Sequence, residues 1–243
     1  MKDLFLLMAT FIAYFVKGIT GFGNTLVMSP LFSFVVSNRV TTPVDLIFSI
    51  PTNTYIAWKE RKNISLKIVL PLSIMLFVGI IPGTFLLKTG NDKMLKAILG
   101  VVVIGMAIEM ITRKYSKRKI NRTNPLILII IGVLSGILAG LYGIGALLVA
   151  YINRTTDNKS AFRANICCVF LTDNIIRLFI YSYTGILNMH VIILSLLLSP
   201  AVIIGMMAGM KVYSMMKEDT VKNSVIALLI ISGAVLIIKS NLI

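Results

Sequence analysis

The sequence predicts an all-α integral membrane protein of two inverted four-to-five-helix repeats, in which glycine-broken hairpins or helices meet near the bilayer midplane. The first observation behind this prediction is composition: 57% of the 243 residues are hydrophobic and 14% are charged, with a mean hydropathy of +0.93. Soluble domains are about half apolar and about a quarter charged. The second observation is a glycine motif that occurs twice, and the third is a basic linker between its two copies.

The first glycine motif is Gly18–Pro30 (GITGFGNTLVMSP), and the second glycine motif is Gly140–Val149 (GLYGIGALLV). A shift of 122 positions places the glycines of the first motif on those of the second: Gly18, Gly21 and Gly23 on Gly140, Gly143 and Gly145. Broken helices at membrane depth are tolerated only where the backbone is buried in protein or lines a watery cavity. Paired breaks of this kind indicate the binding site of a transporter. The alternative is that the glycines only let helices pack closely.

Apolar runs and polar breaks predict the elements in order. In the first half, two short arms, Leu4–Val16 and Leu26–Val36, flank the first motif, and the spans Thr42–Trp58, Ile64–Leu87 and Met94–Ile111 follow. In the second half, Leu126–Ala139 and Ala146–Ile152 flank the second motif, a polar loop covers Arg154–Arg163, and the spans Ala164–Tyr183, Val191–Val212 and Val221–Ile238 follow. The predicted domains are therefore a first repeat (1–112), a basic cytoplasmic linker (113–124) and a second repeat (125–243).

The distribution of Lys and Arg predicts how the chain is oriented. The net charge is +15, but the basic residues lie in short loops between apolar segments, where they set membrane orientation, so nucleic acid is excluded as a partner. Each arm of a glycine motif is shorter than the roughly 20 residues that cross a bilayer, so each motif is either one broken span or a hairpin. The hairpin alternative places 16 Lys and Arg on one face and six on the other, which satisfies the positive-inside rule and makes the linker cytoplasmic. The predicted location is the cell membrane, as a multi-pass protein of a bacterial inner membrane.

Helices that restart after the two breaks, near Asn24 and Ala146, would direct their positive dipole ends and free N–H groups toward one point. Such an arrangement binds anions. The candidate substrate-binding residues are Thr20, Gly21, Gly23, Asn24, Thr25, Asn53, Tyr142, Gly143, Gly145, Asn174 and Arg177. Asn53 and Asn174 occupy matching spans and are interpreted as polar lining of the pathway rather than as contacts between helices.

Charged residues within the spans leave alternatives open. Asp173 and Arg177 are four residues apart and share a helix face, so Arg177 either binds an anionic group or is neutralised by Asp173 or reaches the interface. Lys17 is either a cation at the mouth of the anion site or a lysine whose head group reaches the interface. Asp45 could carry a coupling proton, but its position near a predicted helix start favours a helix cap.

Enzyme chemistry is not indicated by any motif. Cys167 and Cys168 are adjacent in an apolar run and are interpreted as packing residues, and His190 is interpreted as interfacial. No metal-ligand spacing, nucleophile elbow or phosphate-binding loop occurs, so neither a metal nor a cofactor is expected.

The paired glycine motifs in a duplicated chain of this size resemble the sulfite exporter TauE/SafE family of membrane permeases. Further matching stretches are TPVDLIFSIPTN with WKERKNI, and NKSAFRAN with NIIRLFIYSYTG. The resemblance covers essentially the whole chain and implies a secondary transporter of sulfite, sulfonates or other sulfur-containing or organic anions. The second motif departs from the family pattern, because Ala146 and Ala150–Tyr151 occupy a region that usually carries a further glycine and a proline.

The leading functional prediction is thus a small-anion permease that works by alternating access, with a small anionic substrate and membrane lipid as partners. Two alternatives stay open: a transporter of a neutral or zwitterionic solute, and a membrane scaffold or accessory subunit of a sulfur-metabolising system. The sequence also leaves open a homo-oligomer.

Overall fold

A computed structural model describes residues 2–91, 125–143 and 159–215, together with isolated positions between and after these ranges. The described residues form seven α-helices and one short 3₁₀ turn. In chain order the helices are α1 (Lys2–Thr20), α2 (Asn24–Phe32), α3 (Asn38–Lys59), α4 (Leu66–Thr89), α5 (Pro125–Tyr142), α6 (Lys159–Tyr183) and α7 (Met189–Tyr213). The 3₁₀ turn, Arg61–Asn63, joins α3 to α4. No strand occurs among these residues, so the all-helical prediction is confirmed for them.

Within the described ranges, four helices are long and apolar enough to cross a membrane: Lys2–Thr20, Leu66–Thr89, Ser160–Tyr183 and Met189–Tyr213. One face of α4 exposes large apolar side chains at a helical repeat, namely Leu66, Leu70, Ile74, Phe77, Ile81 and Phe85. A water-soluble helix places its apolar stripe toward the core, whereas this stripe faces outward. Such a continuous apolar surface suits contact with lipid. The prediction of an integral membrane protein is therefore supported by both helix length and surface.

The predicted spans correspond closely to α4, α6 and α7. The predicted span Thr42–Trp58 corresponds to α3, whose polar residues keep it out of the group of long apolar helices. The predicted spans Met94–Ile111 and Val221–Ile238 and the basic linker lie outside the described residues, apart from isolated positions.

Among the described helices, two pairs make the most extensive contacts: α1 with α7, and α4 with α5. Each contact depends on glycine. A Cβ atom on Gly209 would lie 2.1 Å from the carbonyl oxygen of Phe15, and one on Gly83 would lie 2.3 Å from that of Ile137. Real Cβ atoms do not approach backbone so closely, so only glycine permits these distances. Small residues bring transmembrane helices together in this way because lipid offers no hydrophobic drive for helix association.

The start of α6 differs from the prediction. The sequence assigns Arg154–Arg163 to a polar loop, but α6 begins at Lys159, and Arg163 is buried with 5% of its side chain exposed. Polarity alone predicted the loop. In the structure, however, Arg163 contacts Gly18 near the end of α1 and Tyr213 at the end of α7.

Candidate functional site

The first glycine motif ends α1 and reverses the chain. Gly21 and Gly23 have φ angles of +84° and +86°, which L side chains rarely adopt and which stop the helix. The hydroxyl of Thr20 donates to the carbonyl oxygens of Val16 (2.9 Å) and Phe22 (2.5 Å) and accepts from the Phe22 N–H (3.2 Å). Thr20 therefore fixes the turn through local hydrogen bonds.

The helix after this turn runs back along α1. The ring of Phe34, two residues beyond α2, lies 6.4 Å from the ring of Phe5, near the start of α1. At the other end, the position a Cβ would take on Gly23 is 3.6 Å from Cγ1 of Val16. The first motif is therefore a hairpin rather than one broken span, as the charge distribution predicts.

The second glycine motif begins with the same turn. Gly143 has a φ angle of +72°, and its N–H donates to the carbonyl oxygen of Ala139 over 2.8 Å. In the first motif, Gly21 donates in the same way to Lys17 over 2.7 Å, 122 positions earlier. Gly145 and the helix start predicted near Ala146 lie outside the described residues.

The glycines of the two motifs divide between the two interpretations given above. Gly18 and Gly140 lie inside helices and permit close packing: their Cβ atoms would each lie 2.6 Å from a carbonyl oxygen, of Met206 and Ile80 respectively. Gly21, Gly23 and Gly143 instead supply the left-handed backbone of the turns. Close packing therefore accounts for Gly18 and Gly140, and the break in the helix accounts for Gly21, Gly23 and Gly143.

The two motifs meet in the interior. The hydroxyl of Thr25 lies 3.4 Å from the carbonyl oxygen of Gly143, to which it donates. A Cβ on Gly143 would lie 3.5 Å from Cγ2 of Thr25 and 2.9 Å from Nη1 of Arg177. Thr25, Gly143 and Arg177 thus form one contact that joins both halves of the chain.

A buried carboxylate occupies the space before α2. Asp45 is 3% exposed, and its Oδ1 accepts from the hydroxyl of Tyr14 (2.8 Å) and from Nδ2 of Asn24 (2.7 Å). Its Oδ2 accepts from the hydroxyl of Thr25. The prediction that Asp45 caps a helix is wrong, because α3 begins at Asn38 after the N-cap Ser37, and Asp45 lies two turns inside it.

Lys17 lies beside this carboxylate cluster. Its side chain is 1% exposed, and its Nζ is 3.5 Å from the hydroxyl of Ser49, which also accepts from Asn24 over 2.9 Å. A lysine that reached the interface would expose its head group. The structure therefore favours the alternative of a cation inside the candidate site.

Arg177 is held by its neighbours on α6. Its Nε and Nη2 donate to Oδ2 of Asp173 at 3.0 and 2.8 Å, and Nη2 also donates to Oδ1 of Asn174 at 2.6 Å. Arg177 and Asp173 are 3% and 2% exposed, so Arg177 does not reach an interface. Oδ1 of Asp173 and Nδ2 of Asn174 have no hydrogen-bond partner. One turn further, the hydroxyl of Tyr181 donates to the carbonyl oxygen of Gly140 over 2.8 Å.

The family model described as Sulfite exporter TauE/SafE matches residues 6–236. The chain belongs to the TauE/SafE family. No curated protein and no solved structure matches the chain significantly. TauE/SafE is a family of transporters and not of enzymes. The protein is therefore a multi-pass membrane permease.

In this TauE/SafE protein, the structure brings several of the predicted site residues together. Those near the contact of the two motifs are Asn24, Thr25, Gly143, Asn174 and Arg177. Asn53 and Tyr142 are buried, with 1% and 0% of their side chains exposed, and Oδ1 of Asn53 has no hydrogen-bond partner. Sequence reasoning did not select Tyr14 or Ser49, and it favoured a helix cap over a functional role for Asp45. The i, i+4 spacing of Asp45 and Ser49 within an apolar segment was the available signal, because these positions share one helix face.

Proposed function

We propose that the protein is a secondary permease for small anions such as sulfite, sulfonates or other sulfur-containing or organic anions. The observation that carries the proposal is the contact of Thr25 with Gly143 beside the buried guanidinium of Arg177. Broken helices that meet around a polar centre are typical of transporter binding sites. Intramembrane charges are costly and mark functional sites by default.

We further propose that the halves are inverted repeats that rock about this centre in alternating access. Matching backbone contacts support the repeat. Gly79 approaches the carbonyl oxygen of Val133 as Gly205 approaches that of Phe11. Gly83 approaches Ile137 as Gly209 approaches Phe15, and Gly140 approaches Ile80 as Gly18 approaches Met206. The α1 residue and the α5 residue in each comparison are 122 positions apart, as in the glycine motifs: Phe11 and Val133, Phe15 and Ile137, and Gly18 and Gly140.

The buried carboxylates of Asp45 and Asp173 occupy the hydrogen-bond donors that a substrate anion would use. In this structure the donors Asn24 and Thr25 are engaged by Asp45, and Arg177 is engaged by Asp173. A substrate anion would therefore compete with an internal carboxylate for the same donors. Because of this competition, the protein with bound substrate and the protein without it differ in their internal contacts. A conformational change driven by a ligand requires such a difference.

The test is flux of sulfite, methanesulfonate and simple carboxylates through the purified protein in liposomes. The variant Gly143→Ala places a Cβ 2.9 Å from Nη1 of Arg177 and strains the turn, so we expect at least about a tenfold loss of flux. The control is Gly185→Ala: Gly185 has the same φ angle of +72°, but nothing lies within 4 Å of its Cβ position. Equal flux in the two variants would reject the site, and no flux of any anion through the wild-type chain would favour the scaffold or accessory-subunit alternative.

A zwitterionic solute is the second candidate substrate. It is favoured by the unpartnered Oδ1 of Asp173, a buried acceptor that could receive an ammonium group while Arg177 binds an acidic group. Taurine and methanesulfonate share a sulfonate and differ in the ammonium group, so their competition in the same liposomes separates the candidates. Taurine that competes at least about tenfold better, a difference of about 1.4 kcal/mol, would favour the zwitterion.

A further inference from the structure

We propose that Arg163 forms an anion-binding site at the Gly21 turn, separate from the site at Arg177 and specific for a small oxyanion with a single negative charge. We call this site the station. This inference rests on the proposed permease function and adds a site that the glycine motifs alone do not indicate. Arg163 lies in the second turn of α6, and its Nη2 is 3.3 Å from the carbonyl oxygen of Gly18, to which it donates. Its guanidinium carbon lies 4.1 Å from the centre of the Tyr213 ring.

The balance of buried charges is the first argument. Among the described residues, the Lys, Arg, Asp and Glu side chains buried to this degree are Lys17, Asp45, Arg163, Asp173 and Arg177. In their ordinary ionised forms they comprise three cations and two carboxylates, which leaves one positive charge uncompensated. Burying a charge without a partner is expensive, so buried charges are normally paired. A single monoanion would complete the balance, whereas a dianion would reverse it.

The position of the unpaired charge is the second argument. Arg177 is paired with Asp173, and Lys17 lies in the cluster that contains Asp45. Arg163 has a carbonyl oxygen and an aromatic ring as its partners in the described structure, and neither carries a full negative charge. Of these three cations, Arg163 is therefore the one for which the described structure shows neither an ion pair nor a shared cluster with a buried carboxylate.

The orphaned donor of Arg163 is the third argument. Its side chain is 5% exposed, and its Nε has no hydrogen-bond partner. A buried N–H of this kind loses its hydration without replacement. Because the guanidinium presents its N–H groups as a planar fork, the Nε edge matches two oxygens of a sulfonate or sulfite group.

The Gly21 turn packs directly against the side chain of Arg163. A Cβ on Gly21 would lie 3.0 Å from Cγ and 3.3 Å from Nε of Arg163. Any side chain at position 21 would thus crowd the unpaired nitrogen. Glycine is needed here for approach as well as for its positive φ angle.

Arg163 and Arg177 are separated by 14 residues of α6, which corresponds to about 21 Å along the helix, on nearly the same face. Arg163 contacts the tip of the first motif at Gly21, and Arg177 contacts the tip of the second at Gly143. The helix α6 thus carries one guanidinium for the glycine turn of each motif. We place the monoanion at Arg163 because Arg177 already has its carboxylate.

The test is calorimetric titration of the purified full chain in detergent with methanesulfonate, a monoanion, and with sulfate, a dianion. We expect methanesulfonate to bind more tightly than sulfate, and Arg163→Gln to weaken methanesulfonate binding at least about tenfold. The matched control is Arg61→Gln, because Arg61 also stacks on an aromatic ring, that of Trp58 at 5.1 Å, but is exposed. It should leave the affinity unchanged.

A folded Arg163→Gln protein with wild-type affinity would overturn the station, as would tighter binding of sulfate than of methanesulfonate. If Arg163→Gln does not fold, Arg163→Lys decides, because lysine keeps the charge but not the planar fork. Weakened binding would support the station and unchanged binding would overturn it. Liposome flux separates this result from the proposed function: wild-type flux with unchanged Arg163→Gln binding rejects the station alone, whereas absent wild-type flux rejects the permease.

Discussion

The hydroxyl of Tyr14 donates to Oδ1 of Asp45 over 2.8 Å, and this bond joins α1 to α3 in the interior of the protein. The same oxygen accepts from Asn24 of α2, so one carboxylate oxygen holds three helices. Asp45 therefore determines where the start of α2 lies relative to the rest of the site.

We expect Asp45→Asn to lower stability by about 1–3 kcal/mol, because an amide group replaces one acceptor oxygen and leaves a buried donor unsatisfied. Thermal unfolding in detergent measures the change. Asp3→Asn is the control, since Asp3 is an exposed residue in the first turn of α1 and should change stability by no more than about 0.5 kcal/mol. Equal effects of the two substitutions would show that the Asp45 contacts do not hold the helices.

Removing Arg177 should be more damaging than removing the whole ion pair. We expect Arg177→Ala to lower stability by about 3–5 kcal/mol, because it leaves Asp173 buried without a partner. The double variant Asp173→Asn, Arg177→Gln should recover part of this loss in the same unfolding assay. We also expect Arg177→Ala to weaken anion binding more than Arg177→Lys, and unchanged affinity in both would make Arg177 structural.

The α1–α7 contact predicts a strong effect of a single methyl group. Gly209→Ala places a Cβ 2.1 Å from the carbonyl oxygen of Phe15, so the helices must separate, at a cost of about 1–3 kcal/mol. Gly105→Ala is the control, because nothing lies within 4 Å of its Cβ position, so it should not lower stability. Unfolding of both variants by heat compares them directly, and a neutral Gly209→Ala would mean that the pair is not tightly packed.

The basic linker at 113–122 is predicted to be cytoplasmic and lies outside the described residues. A cysteine introduced by Ser116→Cys, in a chain whose Cys167 and Cys168 are replaced by serine, should react with a membrane-impermeant maleimide only after the cells are opened. Labelling of intact cells would reverse the predicted orientation of the chain.

The sequence predicts the long helices well because hydropathy acts over whole segments. The predicted span Val191–Val212 lies within α7, Met189–Tyr213, and Ile64–Leu87 overlaps α4, Leu66–Thr89. The first arm is longer than predicted, because Gly18 continues α1 as a packing residue and the helix ends only at Thr20. Polarity alone does not distinguish a glycine that packs from one that turns the chain.

The site was only partly predictable, because its partners are distant in sequence. Tyr14 and Asp45 are 31 positions apart, and Arg163 and Gly18 are 145 positions apart. Repetition of the glycine motif indicated where the chain breaks, and the spacing of Asp173 and Arg177 indicated their local ion pair, but the surroundings of Lys17, Asp45 and Arg163 depend on tertiary contacts. Lys17 and Arg163 illustrate the difference, since the sequence left one undecided and assigned the other to a loop.

The pairing of α1 with α7 also constrains how the protein can be made. The glycine-mediated contact joins Lys2–Thr20 to Met189–Tyr213, which emerges about 170 residues later. At synthesis rates of about 5–20 residues per second, α1 waits on the order of 10–30 seconds in the membrane before this partner arrives. Throughout that interval the face of α1 that carries Phe11, Phe15 and Gly18 is without its final neighbour, so this face lies against lipid or the insertion machinery until α7 has been synthesised.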